Sequence, residues 1–220
     1  MSDIAPFVFL GCLELREILP FEAHDARELA EHLERVPAES VFCHMAAVLV
    51  HRSALTETYP NDFALWVGSA TRDARLAERL AAVDAFPSDS MERVREELVA
   101  TIADHLRHLA VPPPVSQGEP FRFFRTHLVP VPTGHQARTL REFRDALAEV
   151  DASALFYHII DGRYRSGHGR SDFVEWIDHA LTAPELAERL AHIDPGVGSL
   201  ERIRDHHLQM LTDALERGPR

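Results

Sequence analysis

Apolar residues recur at helical spacing in both halves of the chain. Ala26, Leu29, Leu33 and Val36 stand at i, i+3, i+7 and i+10, and Leu140, Phe143, Leu147 and Val150 do the same, which predicts one amphipathic helix in each half. A second helix follows each, carrying Phe42 and His44 or Phe156 and His158. Asn61-Asp62 and Ser171-Asp172 are suitable N-caps for a third, running into Phe63 to Val67 or Phe173 to Leu181, because their side-chain oxygens accept orphan backbone N–H groups. A fourth contains Leu-Ala-Glu-Arg-Leu-Ala, at Leu76 to Ala81 and at Leu186 to Ala191, and a fifth begins after Ser90 or Ser199. Phe7-x-Phe9 and Phe121-x-Phe123 fit short strands or extended arms, and the segment from Pro130 to His135 reads as a turn-forming loop. The predicted class is all-α.

The two halves are also alike residue by residue. Phe7-Val8-Phe9 falls on Phe121-Arg122-Phe123, Arg27-Glu28 on Arg141-Glu142, Phe42-Cys43-His44 on Phe156-Tyr157-His158, and Asp62-Phe63-x-x-Trp66 on Asp172-Phe173-x-x-Trp176. Ser90-x-Glu92-Arg93-x-Arg95 falls on Ser199-x-Glu201-Arg202-x-Arg204. Matches in this order predict a tandem duplication of a domain of roughly 105 residues and about five helices, its copies related by a pseudo-twofold axis. The predicted domains are residues 5–110 and 119–216, joined by a stiff linker, 111–118, with three consecutive prolines. Trp66, Trp176, Phe42 and Phe156 are the expected core residues.

Composition narrows the partners. The 220 residues carry 35 Asp and Glu against 23 Lys and Arg, for a net charge of -12, and every basic side chain is an arginine. Nothing gathers those arginines into the stripe that a phosphate backbone requires, so nucleic acid is not expected. The longest nearly apolar run, Val41 to Val50, is too short to cross a bilayer, no basic leader precedes the first apolar stretch, and the expectation is a cytoplasmic protein without a membrane partner. Cys12 and Cys43 lack the spacing of a zinc or redox pair and read as buried thiols.

Fourteen histidines raise the question of a metal, yet none stands in a ligand motif such as His-Glu-x-x-His or Glu-x-x-His. Neither metal nor cofactor is expected. His44 and His158 are the sharper candidates, repeated at one position on an otherwise apolar helix, where a core histidine held by hydrogen bonds competes with a ligand-facing or catalytic one. Tyr157, Arg163, Tyr164 and Arg165 make the second half richer in polar groups than the first, where Met45 to Val50 is nearly all apolar and is expected to close over His44. The candidate ligand site is therefore His158, Tyr157, Arg163 and Asp172, with His44 as the first-half counterpart, and a small anion is the ligand that these groups suit. Asp62 and Asp172 have an equally ready structural role as helix caps.

The Phe-x-Phe opening, Ser40-Val41-Phe42-Cys43-His44, Tyr59 to Val67 and the Leu-Ala-Glu-Arg-Leu-Ala block ending in Asp84 resemble an uncharacterised helical domain family of unknown function found in bacteria and archaea. The resemblance covers both halves and departs in the second, where Gly169-Arg170-Ser171 replaces Tyr59-Pro60-Asn61. It implies helical domains of about a hundred residues, here in two tandem copies, some of whose relatives occur beside glycosyltransferases. The expected function is a non-catalytic regulatory or adaptor module that binds a partner protein or small ligand, with a link to carbohydrate metabolism. The alternative is an enzyme in which His158, with Asp172 or Tyr157, does acid and base work.

Overall fold

The structure is a computed structural model that describes residues 5–51, 59–85, 90–109, 111–116, 118–167, 169–194 and 199–217, the side chains of 47–51 excepted. Strand β1 (Phe7–Ala23) leads into α1 (Ala26–Leu33), α2 (Ala38–His51), α3 (Asp62–Trp66), α4 (Ala74–Ala81) and α5 (Met91–Leu106). Strand β2 (Phe121–Ala137) leads into α6 (Leu140–Glu149), α7 (Ala152–Leu155), α8 (Gly162–Ser166), α9 (Asp172–His179), α10 (Pro184–Ala191) and α11 (Leu200–Arg217). Two π-helical stretches interrupt this order, Val67–Thr71 after α3 and Phe156–Asp161 between α7 and α8.

The expected all-α class is incorrect. Among the described residues β1 and β2 pair into a two-stranded antiparallel sheet beside the helices, so the fold is mixed. The segment from Pro130 to His135, expected as a loop, lies inside β2. Both strands alternate buried and exposed residues only at their openings, Phe7, Phe9 and Gly11 in β1 and Phe121 and Phe123 in β2, and then run mostly exposed. Two-residue periodicity therefore lasts too short a distance to announce a strand.

The chain divides into two compact units that do not follow the contiguous division at 111–118. One, here the N-unit, is Glu14–His127; the other, the C-unit, is Met1–Leu13 with Leu128–Arg220. Each strand begins in the unit whose helices it does not lead into. In the C-unit, Phe7 and Phe9 pack against Phe143 and Phe173 of the second helical set. In the N-unit, Phe121 and Phe123 pack on Phe63 of the first set. The linker prolines belong to the N-unit: Pro114 bridges Asp25, Val115 N–H donates to His24 O and Ser116 N–H to Ala70 O.

The helices form where the apolar periodicity places them. Asp25, Asn61, Asp73, Ser90, Thr139, Asp151 and Ser171 each cap the following helix with a side-chain oxygen, and Thr139 with Glu142 completes a capping box. Capping thus belongs to Asn61 and Ser171, which leaves the carboxylates of Asp62 and Asp172 for other partners. Repeated arginines close helix ends: Arg95 Nη1 donates to Leu33 O and Val36 O, and Arg204 Nη1 to Leu147 O and Val150 O. Phe42, Phe156 and Trp66 are buried as expected, whereas Trp176 is only half-buried.

Matched positions also carry matched backbone strain. Arg72 (φ 59°) and Thr182 (φ 52°) both adopt the left-handed conformation just beyond Thr71 and the end of α9. A branched Cβ makes Thr182 the costlier of the two. Its side chain is exposed, so Thr182→Gly removes strain at little loss of packing. The variant is expected to be about 0.5–1 kcal/mol more stable, read as a higher urea midpoint at unchanged slope.

Candidate functional site

His158 sits in the π-helical stretch of the C-unit and is 3% exposed. Its Nδ1 lies 2.8 Å from Asp172 Oδ2, and its Nε2 accepts the backbone N–H of Leu10 in β1 at 2.8 Å. An amide can only donate, so Nε2 must present its lone pair and the ring proton must be on Nδ1, pointing at the carboxylate. The ring is neutral, and neither nitrogen is left over. Phe7 and Phe173 pack on it.

Arg165 surrounds this pair with charge. Its Nε bonds Asp161 Oδ2 and its Nη2 bonds Asp172 Oδ2, each at 3.0 Å, while the guanidinium lies 4.7 Å over the Tyr157 ring. Burial pulls the Asp172 carboxyl up, but the bonds from His158 and Arg165 outweigh it and hold the group below the usual range. At Asp161 burial wins and the carboxyl is pushed up despite Arg165. Burial likewise works against the charge on Arg165, and the two carboxylates more than restore it.

The N-unit repeats the core of this arrangement. His44 on α2 is 1% exposed; its Nδ1 meets Asp62 Oδ2 at 3.0 Å, and its Nε2 accepts the N–H of Phe124 in β2 at 3.3 Å. Burial pushes the ring below the ordinary histidine value, against the pull of Asp62. Trp66 Nε1 donates to Glu119 O, and in the C-unit Trp176 Nε1 donates to Ala5 O, both at 3.0 Å. In each unit, then, a tryptophan and a histidine pin the opening of one strand. In the N-unit the His44–Asp62 pair borders a cleft of about 450 Å³, walled by Trp66, Phe121, Phe124 and Ser69. Met45 and Ala46 are buried beside His44, but the side chains of the rest of that apolar run, 47–50, lie outside the described residues.

Of the candidate ligand residues, the structure brings together His158, Tyr157 and Asp172 and sets Arg163 apart. Arg163 Nη2 donates to Ala191 O and Ile193 O and closes the end of α10; burial presses its guanidinium toward a lower value. The cation beside His158 is Arg165, whose i, i+4 spacing from Asp161 was the available signal. The strand amides that satisfy both histidines have no signature in the sequence, since every residue but proline carries one. A second cleft, about 310 Å³, lies in the C-unit between β1, β2 and the start of α7. Several of its polar side chains are already engaged: Ser153 Oγ accepts from Cys12 N–H and donates to Asp151 Oδ1, and Thr133 Oγ1–H donates to Phe9 O.

Among the described residues no group of three or more His, Cys, Asp or Glu side chains gathers into a metal-binding set, and no helix is long and apolar enough to cross a membrane. No curated protein matches the chain. The solved structure of OrfY from Thermoproteus tenax is similar over 96% of this chain and 95% of its own, with 28% identity and a TM-score of 0.81. A family of unknown function, DUF5752, matches residues 4–212. That match runs through both halves as a single stretch, so the family unit is the whole architecture and not one of two tandem copies, and nothing in it concerns glycosyltransferases. With residues 4–212 matched, nearly its full length, the chain belongs to the DUF5752 family.

Proposed function

We propose that the protein is a cytoplasmic, non-catalytic binding module built from two halves of common origin. The observation that carries this is the engagement of both ring nitrogens of His158 and His44. A general base needs a lone pair within reach of its substrate's proton, and both Nε2 lone pairs are spent on strand amides. The enzyme alternative, with His158 working beside Asp172 or Tyr157, lacks its base on this account. The ligand position we favour is the N-unit cleft, where aromatic walls meet Asp62, Ser69 and Arg122. Such a mixture suits a small metabolite with one apolar face and several hydroxyls or a phosphate. The link to carbohydrate metabolism belongs to this proposal and chooses the probes.

Trp66 lines the cleft and is one of two tryptophans, so a W176F background makes it the sole reporter. Glucose, glucose 6-phosphate and UDP-glucose are titrated in turn. A saturable fluorescence change with at least one, lost when Ser69→Phe fills the cleft, is the expected result, and the sugar should be recovered unchanged by NMR. Consumption of a sugar by the wild type, abolished in H158Q, would establish the enzyme instead. Silence with all three would remove the cleft as a sugar site.

A further inference from the structure

We propose that His158 and His44 are proton-operated latches: a proton taken up by His158 frees the opening of β1 from the C-unit helices, and one taken up by His44 frees the opening of β2 from the N-unit helices. The argument rests on hydrogen-bond polarity. The amides of Leu10 and Phe124 have a proton and no lone pair, so only a neutral imidazole can hold them at Nε2. Protonation puts an N–H on Nε2 as well, and two donors then face each other where a bond had been.

The other side of each ring responds in the opposite sense. Nδ1–H donates to Asp172 or Asp62 in both protonation states, and the contact gains charge when the ring is cationic. The imidazolium therefore stays with its helix partner and the strand leaves. With the rings 3% and 1% exposed, water cannot take over the abandoned amide while the strand remains in place. Several other bonds to the strand openings join neutral groups and are indifferent to this proton: Cys12 N–H to Ser153 Oγ, Thr126 N–H to Cys43 Sγ, Ser40 Oγ–H to Phe124 O and the tryptophan bonds. One amide in each strand carries the response.

The charged surroundings set where each latch opens. Facing His158 are Asp172 of α9, Arg165 of α8 bonded to that carboxylate, and Asp161 of its own π-helical turn. Facing His44 are Asp62 of α3 and Arg16 of β1, and the rest of its cage is the rings of Phe63, Phe121, Phe123 and Phe124. His207 and His32 stand one phenyl ring further off, behind Phe173 and Phe123. Burial holds the His44 ring below its ordinary value, so its latch opens at a lower pH than a free histidine titrates.

Amide hydrogen exchange followed by NMR between pH 7.5 and 5, corrected for intrinsic chemistry, tests this directly. Protection at Leu10 and Phe124 should fall as the pH drops, by up to about tenfold per pH unit once the latch titrates, the signature of opening coupled to one proton. A glutamine in place of His158 would still offer a carbonyl to Leu10 but cannot titrate, so His158→Gln should flatten the response at Leu10 and leave that at Phe124. His44→Gln should do the converse. Constant protection in the wild type, or the same fall at Leu10 in H158Q, overturns the proposal. Should the variants not fold, ring ¹⁵N spectra of the wild type decide. Nε2 must be unprotonated at pH 7.5, and each ring must titrate where its amide loses protection; an Nε2–H tautomer, or a ring that titrates while its amide stays protected, overturns it.

Discussion

Phe123→Ala is expected to cost the N-unit about 3–5 kcal/mol, and Phe9→Ala to cost the C-unit as much. Both rings are fully buried. Phe123 lies against Phe121, Phe63 and His44, and Phe9 against Phe7, Phe143 and Phe173. Each is the second inward ring of a strand opening, so truncation removes transfer energy, leaves a cavity among rigid aromatics and loosens the segment that the neighbouring histidine holds. Urea denaturation measures the loss, and one below about 1 kcal/mol would place the ring outside the core. Trp176→Ala should cost less than either, because that indole is only half-buried, stacked on Phe143 at 5.2 Å and edge-on to Phe7.

The second large effect is acid destabilisation through His207. The ring is 2% exposed on α11, and burial pushes its folded-state value down to about 4, although Nδ1–H donation to Ile203 O pulls the other way. Because the folded value lies below the unfolded one, the unfolded chain takes up the proton first. The contribution of His207 is therefore complete above about pH 6.5 and is lost as the pH falls toward 4. At about 1.4 kcal/mol per unit, this residue alone removes about 3 kcal/mol across that window. His44 shifts in the same direction and adds to it. Urea midpoints at pH 7.5 and 4.5 should differ accordingly, and His207→Leu, which gives up only a neutral i, i−4 bond, should shrink the difference. A wild type equally stable at both values would refute the assignment.

Much of the helical framework was legible because its signals are local. The apolar spacing of Ala26 to Leu33 and of Leu140 to Leu147, the caps at Asn61 and Ser171, and the Leu-Ala-Glu-Arg-Leu-Ala repeat each depend on residues within a turn or two of one another. The strands were not, because most of their length is exposed and is broken by Pro20, Pro130, Pro132 and Gly134. Those prolines mark a ribbon whose rim must not recruit another strand, and they erase the alternation by which a strand is recognised. At the site, the repeated position of His44 and His158 was visible, and so was the recurrence of Asp62 and Asp172. That each aspartate serves a histidine instead of capping its helix depends on a contact between separate elements. Arg163 and Arg165 illustrate the same limit: two residues apart in the chain, one closes a helix end and the other joins two carboxylates.

Strand openings that pack on the other half's helices impose an order of events during synthesis. When α1 to α5 have left the ribosome, the aromatic pair that completes their core, Phe121 and Phe123, has yet to emerge, and His44 has no amide to hold. Phe7 and Phe9 must wait for Phe143 and Phe173, and Phe7 for Trp176 as well. A nascent chain therefore carries the β1 phenylalanines without their helices, with closure of the C-unit core deferred until the second helical set emerges. A gene fragment ending in the proline segment would encode helices without their strand, and a strand without its helices.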